Sequence, residues 1–178
     1  MLAAADPGAL DVLPGPAFAE AMAPLFEGAP RFLDRLTAAR PFGSVENLLE
    51  TARSIAHQMP EADQLELIDA HPRIGTPPGS VSALSYVEQG YDRETADRQA
   101  DLDRAVVAAE LDRLNAAYEE RFGFRYCVFV AGRPRANLLP DFRAALDRDR
   151  EAEIDRALDA VVDIAADRYR RLTAEGLG

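Results

Sequence analysis

The spacing of leucine and alanine along the chain predicts a mostly helical protein. Apolar residues recur every three or four positions, which is the period of an amphipathic helix. Helical patterns cover about residues 17–26, 31–39, 44–56, 60–70, 82–89, 94–121, 138–147 and 150–173. Only residues 126–130 favour a strand, and since no partner strand is evident we expect a buried extended segment or a helix end there. The pattern therefore predicts an all-α bundle of about seven to nine helices.

Capping residues and helix breakers set the predicted boundaries. Ser44 and Ser82 each precede a helical pattern and are good N-caps. Gly90 is suited to close the helix after Ser82 in a left-handed conformation. Residues 1–14 are rich in Pro, Gly and Ala, and we expect them to be irregular. Without a repeat or a linker further along, residues 15–178 are predicted to form one helical domain.

Composition favours a globular protein and excludes several kinds of partner. The chain has 178 residues, 48% hydrophobic and 29% charged, which suits one domain with a sizeable core. A net charge of −11 argues against nucleic acid and anionic membranes, because both require clustered positive charge. No apolar run is long enough for a membrane span, and no signal sequence is recognisable. The single cysteine, Cys127, suits a reducing cytoplasm.

The residue types that are missing narrow the possible chemistry. All 20 cationic side chains are arginine, so a lysine Schiff base, and with it pyridoxal phosphate chemistry, is excluded. Two histidines and one cysteine fall short of the usual zinc ligand sets. We therefore expect neither a metal nor a cofactor. Chemistry would depend on a histidine, carboxylates and arginines.

His71 is the first candidate for catalysis. It follows a helical pattern and precedes Pro72, in the segment His71-Pro72-Arg73-Ile74-Gly75. Imidazole titrates near neutral pH and can accept or donate a proton there. The alternative is a structural role in which His71 hydrogen-bonds the last carbonyls of its helix. His57, by contrast, lies on the polar side of its helix and is interpreted as a surface residue.

A second candidate is the trio Ser85, Glu88 and Gln89. Their i, i+3, i+4 spacing places a hydroxyl, a carboxylate and an amide on one helical face. Such a face can hold a small polar ring while the carboxylate orients a histidine. The alternative is a capping box that begins at Ser85. Ser82 is the better cap, which weakens that alternative.

Arg168 is the third candidate. The last helical pattern runs Ile154, Leu158, Val161, Ala165, Arg168, Leu172, so Arg168 has an inward position among aliphatic residues. A buried guanidinium requires a partner, which is either an anionic ligand or an internal carboxylate. A guanidinium that reaches out to solvent from the helix end is a further alternative. Cys127 lies in an apolar run and is interpreted as a core residue rather than a nucleophile.

In this order the motifs resemble the family of 2-oxo-4-hydroxy-4-carboxy-5-ureidoimidazoline (OHCU) decarboxylases. The family pattern has a His-Pro junction, Ser-x-x-Glu-Gln, Asn-x-x-Tyr-x-x-x-Phe-Gly-Phe and an arginine on the last helix. Here these motifs are His71-Pro72, residues 85–89, residues 115–124 and Arg168. Pro41-Phe42 before a capped helix is also similar, so the resemblance covers roughly residues 15–173.

The resemblance implies a helical bundle, usually a homodimer, that works without cofactor or metal. It implies the last step of urate-to-allantoin conversion, in which OHCU loses carbon dioxide and becomes (S)-allantoin. His71 would move a proton, Glu88 would orient His71, and Arg168 would face the anionic substrate. Residues expected to bind the substrate are Pro72, Ser85, Tyr86, Val87, Gln89, Tyr126, Cys127, Val128, Phe129 and Val130. For the last five the main-chain groups would make the contacts.

The chain departs from the family pattern at two places. Arg73 stands where the pattern has aspartate, and Gly90-Tyr91-Asp92 replaces a run of small residues. The first departure changes the charge near His71, and the second changes one wall of the expected pocket. Two alternative functions therefore remain: a lyase acting on another ureide or carboxylated heterocycle, and a non-catalytic helical module that binds a partner or a small anion.

Overall fold

The structure, a computed structural model, describes residues 7–93 and 98–175. Within these ranges the chain has nine α-helices and no strand, as an all-α fold requires. The α-helices are α1 Pro7–Asp11, α2 Gly15–Met22, α3 Pro30–Ala38, α4 Val45–Gln58, α5 Glu61–Asp69, α6 Ala83–Glu88, α7 Arg98–Phe122, α8 Leu139–Ala145 and α9 Arg150–Glu175. Short 3₁₀ helices cover Pro78–Ser80, Tyr91–Arg93 and Arg135–Leu138.

The predicted helix starts are confirmed where a capping side chain was identified. The Ser44 hydroxyl accepts a hydrogen bond from the Asn47 amide at 3.1 Å, and the Ser82 hydroxyl accepts one from the Ser85 amide at 3.2 Å. Gly90 has a φ of 78°, the left-handed conformation expected after α6. Since Ser82 is the cap and Ser85 lies inside α6, the capping-box interpretation of Ser85 is wrong.

Some boundaries differ from the prediction. Residues 7–11 form α1, although residues 1–14 were expected to be irregular. Helix α2 ends at Met22 rather than at residue 26, because Pro24 has no N–H with which to continue the helix. The predicted start of α7 at Glu94 lies outside the described residues. No helix in the described ranges has both the length and the apolar character that a membrane span needs.

The chain divides into two compact units. The first comprises residues 1–71 and 154–178, and the second comprises residues 72–153. In the first unit, α2, α3, α4 and α9 contribute fully buried apolar residues, which include Phe18, Met22, Phe32, Leu36, Ala52, Leu158, Val161 and Ala165. The boundary between the units follows His71 directly.

An aromatic cluster around Tyr118 forms the core of the second unit. The Tyr118 ring lies 4.5 Å from Phe122, 5.5 Å from Phe124 and 5.2 Å from Tyr126, measured between centroids. The Tyr118 hydroxyl donates to the fully buried Glu153 carboxylate at 2.8 Å. Arg148 bonds the other Glu153 oxygen at 2.9 Å, which offsets the cost of burying that charge. The Tyr-x-x-x-Phe-Gly-Phe motif therefore builds the core of this unit.

Residues 126–130 belong to neither a helix nor a strand. Tyr126, Cys127 and Val130 are buried, which confirms the interpretation of Cys127 as a core residue. The Tyr126 ring stacks on Phe142 of α8 with 3.8 Å between centroids and an angle of 12°. The segment is thus packed against α8 by an aromatic contact, without a partner strand.

We expect Phe142→Ala to lower the free energy of unfolding by about 3–5 kcal/mol, the usual cost of removing a fully buried phenylalanine. Phe142 is fully buried and contacts both Tyr118 and Tyr126. The matched control is Leu102→Ala on α7, where the side chain is 57% exposed and the cost should stay within about 0.5 kcal/mol. Urea denaturation measures both values. Equal costs for the two variants would contradict this account of the core.

Candidate active site

His71 is buried at the end of α5 in the first unit. Its backbone N–H donates to the Ile68 carbonyl at 3.1 Å, and its ring Nδ1 lies 3.1 Å from the Leu67 carbonyl oxygen. A carbonyl can only accept, so Nδ1 carries a proton. In the neutral ring the basic lone pair is consequently on Nε2. The sequence alone did not distinguish these two nitrogens.

The surroundings of His71 favour its neutral form. Burial and, after it, the positive charge of Arg168 lower the pKa of His71 from 6.5 to about 4. The Glu27 carboxylate and the bond to Leu67 act in the opposite direction. At neutral pH His71 is therefore uncharged.

Arg168 on α9 is 1% exposed, as the helix register predicts. Its Nη1 donates to the Pro24 carbonyl at 2.9 Å, and its Nη2 bonds the Glu27 carboxylate at 2.7 Å. The internal carboxylate that the sequence analysis named as an alternative partner is thus present. Arg168 and Glu27 form a charged pair whose field acts on His71.

Glu27 is the functional candidate that sequence reasoning missed. It lies in the turn between α2 and α3 with a left-handed φ of 49°, next to Gly28 with a φ of 75°. A non-glycine residue in this conformation costs of order 1–3 kcal/mol unless its surroundings hold it there. Here Arg168 holds the side chain. The available signal was a lone carboxylate within the apolar run Pro24-Leu25-Phe26-Glu27-Gly28-Ala29.

The other predicted group lies on α6 in the second unit. Ser85 and Gln89 are buried, Tyr86 and Glu88 are half-buried, and Val87 is 37% exposed. The predicted face of α6 therefore turns Ser85 and Gln89 inward. The pairing of Glu88 with His71 remains a prediction.

Gln89 holds the loop that follows His71-Pro72. Its Oε1 accepts from the Gly75 amide at 2.8 Å, and its Nε2 donates to the Arg73 carbonyl at 3.3 Å. Asn115 of α7 adds a bond from Nδ2 to the Ile74 carbonyl at 3.0 Å. Gly75 has a φ of 88°, and a Cβ there would lie 3.1 Å from Leu111 Cδ1. The side-chain amide of Gln89 thus hydrogen-bonds the backbone of this loop on both sides of Ile74.

Arg73, the first departure from the family pattern, is turned towards α7. Its Nε donates to Glu119 Oε1 at 2.5 Å, and its Nη2 bonds the other oxygen of the same carboxylate. This bidentate contact raises the pKa of Arg73. Half of the Arg73 side chain is exposed, so this ion pair joins the loop to α7 at a partly solvated position.

Two carbonyls of the 126–130 segment already have partners. Arg133 donates from Nη2 to the Phe129 carbonyl at 2.8 Å and from Nε to the Val130 carbonyl at 3.0 Å. The chain turns directly afterwards, through Ala131 and Gly132 with φ of 52° and 71°. The expected main-chain contacts of this segment with a substrate remain a prediction.

The structure groups the candidates by unit. His71, Arg168 and Glu27 come together in the first unit, while Pro72, residues 85–89 and residues 126–130 belong to the second. Across the described ranges, no three histidine, cysteine or acidic side chains are grouped as a metal would need.

Comparison with known proteins identifies the family. The model for the OHCU decarboxylase family matches residues 11–170, which is most of the chain. The chain belongs to the OHCU decarboxylase family. A family member from Haloferax volcanii, 2-oxo-4-hydroxy-4-carboxy-5-ureidoimidazoline decarboxylase, is 27% identical over 113 residues. That match covers 64% of this chain and spans 63% of the relative, somewhat less than two thirds of its length.

Two further OHCU decarboxylases match over most of the chain. The protein of that name from Halalkalicoccus jeotgali is 27% identical over 158 residues, covering 88% of this chain and 85% of its own. A crystal structure of OHCU decarboxylase in the presence of (S)-allantoin has a TM-score of 0.67 at 22% identity. It covers 88% of this chain and 98% of the solved one, so the two share a fold.

We expect the lowered pKa of His71 to make the protein less stable in acid. The unfolded chain takes up a proton on this residue below pH 6.5, whereas the folded chain takes it up only near pH 4. The free energy of unfolding is thus unaffected by His71 above pH 6.5 and falls by roughly 3 kcal/mol on its account as the pH drops towards 4.

Denaturation of the protein and of His71→Asn between pH 7.5 and 4 tests this dependence. Asparagine can still donate to the Leu67 carbonyl but does not titrate, while the carboxylates are common to both proteins. The variant should show a shallower loss of stability over this interval. Parallel curves would contradict the assignment of a neutral, buried His71.

Proposed function

We propose that the chain catalyses the decarboxylation of OHCU to (S)-allantoin, with His71 as the acid/base group. Membership of the OHCU decarboxylase family supports this reaction. The observation that carries the proposal is the neutral His71 beside a charged arginine. A titratable group whose pKa is strongly shifted by burial and by a specific charged neighbour is typical of functional sites.

The chemistry requires a place for the electron pair of the breaking bond. The carboxylate leaves carbon 4 as carbon dioxide, and the electron pair of the broken bond forms a double bond between carbons 4 and 5. The pair of the double bond from carbon 5 to nitrogen moves onto that nitrogen, which takes up a proton from solvent. The 4-hydroxyl then becomes a carbonyl and gives its proton to Nε2 of His71. His71 returns that proton to carbon 5 on one face. Since the substrate accepts the electrons itself, the reaction needs no cofactor.

Arg168 supplies the positive charge in this scheme. The substrate is an anion, whereas the chain has a net charge of −11, so attraction must come from a local guanidinium. Arg168 is held by Glu27 and by the Pro24 carbonyl, and this support fixes its direction before substrate arrives. Glu27 therefore acts as a positioning residue for Arg168 and moderates its effect on His71.

The remaining groups of the proposed site are those that the family resemblance implies. Glu88 orients His71, and Ser85 with Gln89 holds the ring and the ureido group. Pro72, Tyr86, Val87 and the main chain of Tyr126, Cys127, Val128, Phe129 and Val130 complete the binding surface. The buried positions of Ser85 and Gln89 support this arrangement. The active protein is proposed to be a homodimer, as the family resemblance implies.

A non-catalytic binding module is the second candidate. The observation in its favour is that Arg168 is paired with an internal carboxylate and that His71 bonds a carbonyl of its own helix. Both contacts satisfy the residues without a ligand. The two functions differ in one measurable respect, because only the enzyme accelerates formation of a single allantoin enantiomer.

The decisive experiment follows (S)-allantoin by circular dichroism after the protein is added to freshly oxidised urate. The unchanged protein should form it faster than the spontaneous racemic product appears. His71→Asn should lower turnover by about 10²–10⁴, the usual contribution of a positioned acid/base. His57→Asn is the matched control, because the ring of His57 bonds Asp155 and Asp159 on the partly exposed side of α4 and its loss should not affect turnover. If the unchanged protein does not accelerate the formation of (S)-allantoin, the proposed enzymatic function is wrong and the non-catalytic binding module is favoured.

Glu88→Gln tests the role of the carboxylate on α6. If Glu88 orients His71, the variant should lower kcat while KM changes little, because the amide keeps the shape but loses the charge. The pH profile of kcat should shift as well. Glu120→Gln on the exposed side of α7 controls for the loss of one charge. A drop in stability with an unchanged kcat would show that Glu88 is structural.

A further inference from the structure

Asn115 of α7 has a buried oxygen atom for which the described residues offer no hydrogen-bond donor. The residue is 3% exposed, and its Nδ2 donates to the Ile74 carbonyl at 3.0 Å. Its Oδ1 is the atom without a partner in that part of the chain. Buried polar atoms are nearly always hydrogen-bonded in native proteins, so this exception requires an explanation.

The orientation of the Asn115 amide is fixed by the Ile74 carbonyl. A carbonyl oxygen can only accept a hydrogen bond, so the NH2 group of Asn115 must face it. Turning the amide over would bring two acceptor oxygens together and would lose that bond. The atom without a partner is therefore an acceptor, and its missing partner is an N–H or O–H donor.

Two side-chain amides hold the loop after Pro72, and they use their polar atoms differently. Gln89 uses both ends, since its Oε1 accepts from the Gly75 amide and its Nε2 donates to the Arg73 carbonyl. Asn115 uses only its NH2 group there. Holding the loop therefore accounts for the donor of Asn115 and not for its acceptor.

The position of Asn115 in α7 would otherwise suit an apolar residue. The other buried residues in this part of the helix are Leu111, Leu114, Tyr118 and Phe122. Asparagine forms helices less readily than leucine, and an acceptor buried without a donor is destabilising. At this position the helix thus carries a polar atom that its own packing does not use.

The loop connects this oxygen to the proposed reaction. Ile74, which Asn115 bonds, follows His71 by three residues, so the Cα atoms of His71 and Ile74 are at most about 11 Å apart. The same loop is bonded by Gln89, which the proposed function assigns to the ring and ureido group of the substrate. A donor group on a bound substrate can therefore supply the partner of Oδ1.

We propose that Asn115 Oδ1 accepts a hydrogen bond from the terminal NH2 of the substrate's ureido group. This inference rests on the proposed function and adds a specificity-determining residue to it. A ureido group ends in N–H donors, whereas a carboxylate or an ester at the same place offers only acceptors. A site whose buried polar group is left unpaired by the wrong ligand discriminates strongly against that ligand. Asn115 thus selects ureides over other carboxylated heterocycles.

Titration calorimetry on the full chain with two ligands tests this contact. The ligands are allantoin and 5-acetamidohydantoin, in which a methyl group replaces the terminal NH2. The unchanged protein should bind allantoin about tenfold more tightly, the order of magnitude expected for one buried hydrogen bond. Asn115→Leu has a similar size and no acceptor, so it should bind the two ligands equally. If the variant weakens both ligands by the same factor, Asn115 only holds the loop and the proposal is wrong.

Asn47→Leu is the matched control. Asn47 also donates from Nδ2 to a backbone carbonyl, that of Phe42 at 2.9 Å, but it is exposed on α4 in the first unit. This variant should keep the preference for allantoin. Loss of the preference in both variants would show a general effect of the substitutions and would contradict the proposal.

NMR of the unchanged protein is a second measurement, which does not require Asn115→Leu to fold. The Cγ resonance of Asn115 should shift when allantoin is added and should shift less with 5-acetamidohydantoin, because a hydrogen bond to Oδ1 polarises this carbonyl. Equal shifts, or none, would indicate a buried water at Oδ1 and overturn the proposal.

Both experiments measure binding without turnover, so their outcome is separate from that of the (S)-allantoin assay. Turnover without a preference for allantoin would refute the role of Asn115 alone. A preference that Asn115→Leu abolishes, without turnover, would refute the decarboxylation and leave Asn115 as a ureide-binding residue.

Discussion

The burial of one imidazole beside one guanidinium is the constraint on which the candidate site depends. A positive charge close to His71 would be repelled by a protonated ring, and burial penalises that ring further. The fold therefore keeps His71 neutral, while the bond to Leu67 fixes which nitrogen bears the proton. Glu27 makes the arrangement tolerable, because an unpaired guanidinium at this depth would be far more costly.

The second unit follows a different principle. Its core is built from aromatic rings around Tyr118, and its buried carboxylate is satisfied by a hydroxyl and an arginine. Polar side chains from α6 and α7 then hold the loop after Pro72 through its backbone rather than through its side chains. These bonds to the backbone do not depend on which side chain stands at position 73.

Sequence reasoning succeeded where a local rule applied and failed where partners are distant in the chain. Helix register alone placed Arg168 inward, and capping rules located the starts of α4 and α6. Glu27 was missed because its partner is 141 residues away and no periodic pattern connects the two. The orientation of Glu88 towards His71 is still a prediction.

All of the chain's strong cations are arginines, and this has a consequence for its electrostatics. Guanidinium does not lose its proton at any pH that a folded protein survives, whereas ammonium groups begin to do so near pH 10. Alkaline conditions consequently leave the positive charge of Arg168 undiminished. His71, by contrast, changes its charge on the acidic side, because its pKa is lowered to about 4.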